Sequence, residues 1–161
     1  MSARKWHEHR RFDPSGRGGW QKRVAEDHPG INVVYPPGFW KAYRQFCAGD
    51  AAGMEMAVTF LEDDPWVFGS GCIKEDFIHA LKQMEIPARY ISRLHRVVLS
   101  VVDRRDGREF RDYCRLARKV DAPALRERLT RRLAHDDPNV RRRARWVLEA
   151  LGQNQPKGTQ G

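Results

Sequence analysis

Arginine side chains in the last third of the chain are the residues best suited to chemistry, and that chemistry is the binding of anions. Arg128, Arg131 and Arg132 fall together on one predicted helix, beside a stripe of leucines. A guanidinium group can donate two parallel hydrogen bonds to a phosphate or a carboxylate. A solvated basic face that pairs with nearby acids explains these residues at least as well. The candidate backbone contacts are Arg128, Arg131, Arg132, Arg142, Arg143 and Arg145.

Two aromatic regions are candidates for contact with a protein partner. Trp66 and Phe68 stand next to glycines, in the least regular inner stretch of the chain. Trp146 lies off the main apolar face of the last predicted helix, with Arg143 on the same flank. A tryptophan in such a position is either packed by the C-terminal tail or available to a partner. We expect packing.

Residues that bind metals or catalyse reactions do not form a recognisable set in this sequence. His7 and His9 provide two imidazoles, whereas a structural zinc site needs four ligands. The acidic pairs Asp63-Asp64 and Asp136-Asp137 each precede a proline, so helix capping explains them better than acid–base catalysis does. We therefore predict a non-enzymatic protein with no cofactor and no bound metal.

The cysteines and the inner histidines are predicted to have structural roles. Cys47, Cys72 and Cys114 are odd in number and far apart, which indicates reduced thiols in a cytosolic protein. Each stands beside apolar residues in a helical pattern, so we expect it to be buried. His79 and His95 lie in predicted helices without a nucleophile motif, and we expect them to be hydrogen-bonded or exposed.

The net charge of +9 is distributed unevenly along the 161 residues. Residues 103–152 carry a net charge of +6, whereas residues 32–102 carry −1. Such an asymmetry suggests an anionic partner, although solvated arginine faces are common on helical repeat proteins. The sequence has no run of about 18 apolar residues and no apolar signal segment, so we predict a cytoplasmic protein without a membrane partner.

The elements that must position these side chains are helices. Apolar residues recur at helical spacing across residues 36–152, and turn signals divide this range into seven amphipathic segments. The run Val97 to Val102 could form a buried strand, but its spacing from Ile91 favours a helix. We predict an all-α fold of stacked antiparallel helical hairpins, with about seven helices. Residues 1–35 are predicted to be a mobile or loosely docked basic leader, and residues 153–161 a frayed polar tail.

The last predicted helix has both ends marked in the sequence. Asp137 can accept hydrogen bonds from the first turn, and Pro138 suits the first helical position. Gly152 stands where a left-handed C-terminal cap is expected. Between them, the apolar face consists of Val140, Ala144, Val147, Leu148 and Leu151.

This stretch resembles the first helix of a HEAT-like repeat of the short, phycobilisome-lyase type. The pattern Asp-Pro-x-Val-Arg-x-x-Ala, then Leu-x-x-Leu-Gly, is carried by Asp137, Pro138, Val140, Arg141, Ala144, Leu148, Leu151 and Gly152. The preceding segment, with Leu125, Leu129 and Leu133, resembles the second helix of the repeat before it, so the resemblance covers residues 121–152. It implies a short HEAT-like solenoid. It also implies a structural role for Arg141, paired with Asp137 or Asp103.

Repeat folds present extended surfaces to their partners. We therefore predict a non-enzymatic helical-repeat module that binds a protein partner. The alternative is sequence-independent binding of the DNA or RNA backbone by the arginine-rich C-terminal half. Some DNA glycosylases that remove alkylated purines are also built from HEAT-like repeats. No motif in this chain permits a catalytic residue to be assigned, so such an enzyme is the least favoured interpretation.

Overall fold

The computed structural model describes residues 38–65, 70–104, 107 and 109–152, and the regular structure in these ranges is entirely helical. The helices are α1 (Phe39–Cys47), α2 (Met54–Asp63), α3 (Ser70–Gln83), α4 (Ala88–Arg104), α5 (Phe110–Lys119), α6 (Pro123–Arg132) and α7 (Pro138–Gly152). A short 3₁₀ turn, Ala51–Gly53, precedes α2. The prediction of an all-α fold with about seven helices is confirmed. The predicted leader and tail, Trp66 and Phe68 lie outside the described residues.

Alternate helices lie side by side. Helix α3 packs against α1 and α5, and α5 packs against α7. In the same way, α4 packs against α2 and α6. The odd-numbered and even-numbered helices therefore form two layers. Contacts of α2 with α1 and α3, of α4 with α5 and α7, and of α6 with α7 join these layers. This stacking is compatible with a short helical solenoid.

The core lies between these layers, and α4 contributes most to it. Its buried residues include the run Val97 to Val102 apart from Ser100. This run is helical, as its spacing from Ile91 predicts. At the α1 end, five aromatic rings form an aromatic cluster, which consists of Phe39, Tyr43, Phe46, Phe60 and Phe77. Among the described helices, none is long and apolar enough to cross a membrane.

The two ends of α7 are stabilised differently. Asp137 Oδ1 accepts a hydrogen bond of 2.8 Å from the Asn139 amide, so Asp137 caps the start of the helix. Gly152 is the last helical residue and has no positive φ, so the expected left-handed cap is not formed there. Arg126 of α6 instead donates to the Leu151 carbonyl oxygen at 3.2 Å. This contact satisfies one of the last carbonyl groups of α7.

Candidate functional site

Arg143 belongs to the interior rather than to the surface. Its side chain leaves α7 between Val140 and Val147, and the residue is only 4% exposed. Its Nε donates to the Val102 carbonyl oxygen at 2.6 Å, and its Nη2 lies 3.3 Å from the Asp103 carbonyl oxygen. These carbonyl groups end α4, so the guanidinium caps that helix and offsets its dipole. The prediction that Arg143 binds a partner is therefore corrected.

We expect that replacing Arg143 by methionine lowers the free energy of unfolding by about 1–3 kcal/mol, because two carbonyl groups at the end of α4 lose their donor. Methionine keeps an aliphatic stem and removes only the guanidinium donors. Urea unfolding measures the effect. The matched control is Arg145→Met on the exposed face of the same helix, which should change stability by less than about 0.5 kcal/mol. Equal losses in the two variants would contradict the capping role.

Arg132 and Arg131 are also engaged with residues of the chain. Arg132 forms a two-point ion pair with Asp103 of α4, with Nε–Oδ1 at 2.6 Å and Nη2–Oδ2 at 2.8 Å. This pair links α6 to α4 and holds the guanidinium in a fixed position. Arg131 lies 2.5 Å from Glu127, but both side chains are mostly exposed, so their pair contributes little to stability. Of the three arginines predicted on α6, only Arg128 has no ion pair in the described part of the chain.

Arg141 has a structural position, but with other partners than those the resemblance implies. Its Nη1 donates to the carbonyl oxygens of His135 at 2.6 Å and Asp136 at 2.9 Å. These contacts fasten the turn between α6 and α7. Neither expected carboxylate accepts a described hydrogen bond from Arg141; Asp103 binds Arg132, and Asp137 caps α7.

Trp146 is both packed and accessible. Its ring makes an edge contact with Phe110 of α5, with centroids 5.8 Å apart and planes at 64°. The Arg142 guanidinium lies over the ring, 5.2 Å from its centroid. The residue nevertheless remains 40% exposed, and Arg142 and Arg145 are exposed beside it. The structure thus brings three predicted site residues together on the outer face of α7.

Helix α5 extends this face, which sequence reasoning missed. Arg111, Arg115 and Arg118 are four and three residues apart, so they lie on one side of α5. That side of α5 is opposite the buried residues of the helix. The outer face of α7 is likewise opposite the buried residues of α7, and both helices belong to the same layer. The spacing was visible in the sequence, but the pairing of α5 with α7 was not. We call this set the α5–α7 surface: Arg111, Arg115, Arg118, Arg142, Arg145 and Trp146.

A second group of charged residues, which sequence reasoning also missed, connects two helices of the even-numbered layer. Arg93 of α4 binds Glu55 and Glu62 of α2, with N–O distances between 2.7 and 2.9 Å. Hydrogen bonds from Arg93 lower the pKa of both glutamates. Because two carboxylates surround one guanidinium, this group is a cross-link between helices rather than a basic site.

The described part of the chain holds no group of three or more histidine, cysteine, aspartate or glutamate residues that could bind a metal ion. His7 and His9 lie outside that part. His95 is buried, and its Nε2 lies 2.7 Å from the Val120 carbonyl oxygen, which it helps to satisfy. His79 is exposed.

The expectation that all three cysteines are buried is wrong. Cys47 is exposed at the end of α1, and Cys72 and Cys114 are half-buried. Although the residue as a whole is exposed, desolvation of its thiol, together with the Asp76 carboxylate, raises the pKa of Cys47 to about 12. Burial likewise raises the pKa of Cys114 to about 11. Both thiols are therefore protonated at neutral pH and are poor nucleophiles.

Comparisons with protein-family models, with curated proteins and with solved structures found no match. The geometry of the α5–α7 surface is therefore the ground on which a function can be proposed.

Proposed function

We propose that this protein is a non-enzymatic, HEAT-like helical module that binds a protein partner through the Trp146 end of the α5–α7 surface. The exposure of Trp146 carries the proposal. Among the large apolar side chains of the described residues, only Trp146 and Leu133 are exposed, at 40% and 38%. Tryptophan and arginine are the residue types that most often dominate binding energy at protein interfaces. Trp146 stands among exposed arginines, as such an anchor would.

The internal use of arginines favours a protein partner over nucleic acid. Arg143 is buried and Arg132 is held by Asp103, so two of the six candidate backbone contacts are occupied. The Arg142 guanidinium already lies over the Trp146 ring, so a nucleobase that stacks on that face would have to displace it. A protein side chain can instead pack against the exposed part of the ring and leave Arg142 in place.

We expect that Trp146→Ala weakens binding of the partner by at least about tenfold, because a hot-spot residue contributes about 2 kcal/mol or more. Tagged full-length protein is used to capture partners from its native lysate, with and without nuclease. The matched control is Leu133→Ala, since Leu133 is equally exposed but lies at the end of α6. Proteins retained by the wild type and by Leu133→Ala, but lost with Trp146→Ala, support the proposal. Capture that is insensitive to Trp146→Ala overturns it.

Nucleic-acid binding is the second candidate function, and one observation favours it. Arg128, Arg142 and Arg145 are exposed in the basic C-terminal part of the chain, where phosphates could reach them. Backbone contacts of this kind carry no sequence information and weaken as salt is raised. The nuclease arm of the capture experiment separates the two functions, because contacts made through nucleic acid disappear after digestion.

A further inference from the structure

We infer that the segment recognised by the α5–α7 surface is an acidic peptide segment that carries an apolar side chain. This inference rests on the proposed function and specifies the chemistry of its partner.

The charge of the surface is the first argument. Five arginines face outward from α5 and α7, and the carboxylates on the same sides are Asp112 and Glu149, which gives a net charge of +3. Asp112 is already held by Arg115 at 2.8 Å. An anionic partner is therefore complementary to the surface, whereas a basic one would be repelled.

The aromatic centre of the surface is the second argument. Trp146 rests on Phe110, which is 7% exposed, so its ring is supported from below by the core. The contact with Arg142 orients that guanidinium before any partner arrives, which reduces the entropy lost on binding. An apolar side chain that covers the remaining exposed part of the ring would remove it from water.

The spacing of the arginines defines the partner further. Arg142 and Arg145 are one turn apart on α7, about 5–6 Å between their Cβ atoms. Arg111 and Arg118 stand on α5, at an interaxial distance of about 8–10 Å for packed helices. A single short segment can therefore reach arginines of both helices while its apolar residue covers Trp146. The guanidinium groups of Arg111 and Arg145 can each offer a carboxylate of that segment a two-point contact.

The carboxylates on the surface distinguish this partner from nucleic acid. Glu149 is exposed one turn beyond Arg145, on the same side of α7. An evenly charged phosphate backbone that follows α7 would meet this carboxylate and be repelled. A peptide can place an uncharged or basic residue at that position.

The test uses full-length protein and a short fluorescein-labelled peptide rich in aspartate and glutamate with one central leucine. The comparison probes are the same peptide with serine for leucine, and single-stranded oligothymidine. We expect fluorescence anisotropy to show that the leucine peptide binds more tightly than either. Arg111→Glu combined with Arg145→Glu should weaken its binding by about tenfold or more, because both contacts become repulsive.

The control variant is Arg89→Glu combined with Arg96→Glu. It makes the same change in charge on the exposed face of α4, in the other layer. Equal weakening by the two double variants, or tighter binding of oligothymidine than of the leucine peptide, would overturn the inference. Circular dichroism establishes that both variants are folded. If Trp146→Ala abolishes partner capture while Arg111→Glu with Arg145→Glu leaves it intact, the proposed function stands and the inference of an acidic segment is wrong.

Discussion

Replacement of Asp64 by asparagine is expected to lower the free energy of unfolding by about 3–5 kcal/mol, because it leaves a buried ammonium group without its counter-charge. Lys74 of α3 is only 1% exposed, and its Nζ lies 2.6 Å from Asp64 Oδ1. Asp64 follows α2 in the left-handed conformation, at φ 46°. Asparagine tolerates that conformation and has nearly the same shape, so the substitution removes the charge and little else.

Urea unfolding at neutral pH measures this loss, with an unchanged m value as the sign that the folded state remains compact. The neighbouring and exposed Asp63 supplies the control, since Asp63→Asn should cost less than about 0.5 kcal/mol. Adding Lys74→Met to Asp64→Asn removes the unpaired charge and should restore much of the lost stability. If Asp64→Asn costs no more than Asp63→Asn, the ion pair does not stabilise the contact between α2 and α3.

Asp64 and Lys74 show which features of the structure can be predicted from the sequence and which cannot. Asp63-Asp64 before Pro65 predicts the end of a helix, and α2 does end at Asp63. Helix ends are specified by local residues, so the sequence can reveal them. Lys74 carries no such local signal, because lysine is ordinarily a surface residue. Its burial depends on how α3 meets the end of α2, which is tertiary information.

Helical periodicity could also be predicted, because it is a local pattern. The arrangement of the helices in two layers could not. The spacing from Ile91 to Val102 identifies α4 as a helix, because the pattern repeats within one element. Contact between α4 and α7 joins residues about forty positions apart. That contact decides that Arg143 is buried while Arg142 and Arg145 are exposed. Three arginines in four positions look alike in a sequence until the neighbouring layer is known.

Only part of the candidate site could be predicted, because contacts between helices leave no pattern within a single helix. Trp146, Arg142 and Arg145 were candidate binding residues on one helix, but the residue expected beside Trp146 was Arg143, which is buried. The contribution of Arg111, Arg115 and Arg118 depends on the packing of α5 beside α7, which no local pattern records. Arg141 illustrates the opposite case: a structural role was foreseen, but its partners are main-chain carbonyl groups, which the sequence does not distinguish.

Phe77→Ala is expected to destabilise the protein by about 3–5 kcal/mol, through the lost apolar burial and the cavity that remains. Phe77 is fully buried, and its ring centroid lies 5.3 Å from that of Phe60 and 5.7 Å from that of Phe46. Tyr43 and Phe39 complete the aromatic cluster at 5.6 and 6.4 Å. Because rings from two other helices, α1 and α2, line the site, several side chains would have to move to fill it.

Phe77→Leu is the matched control, since leucine keeps most of the apolar volume and should cost clearly less than alanine. Thermal and urea unfolding give the two losses, and a loss below about 1 kcal/mol for Phe77→Ala would contradict the central position of this ring. The same variant also bears on the proposed function. In a stacked fold each element contacts mainly its neighbours, and the aromatic cluster involves α1 to α3 while the α5–α7 surface lies further along the stack. At a temperature where Phe77→Ala remains folded, it should therefore bind the leucine peptide as the wild type does. A parallel loss of stability and peptide affinity would show instead that the two ends of the stack are coupled.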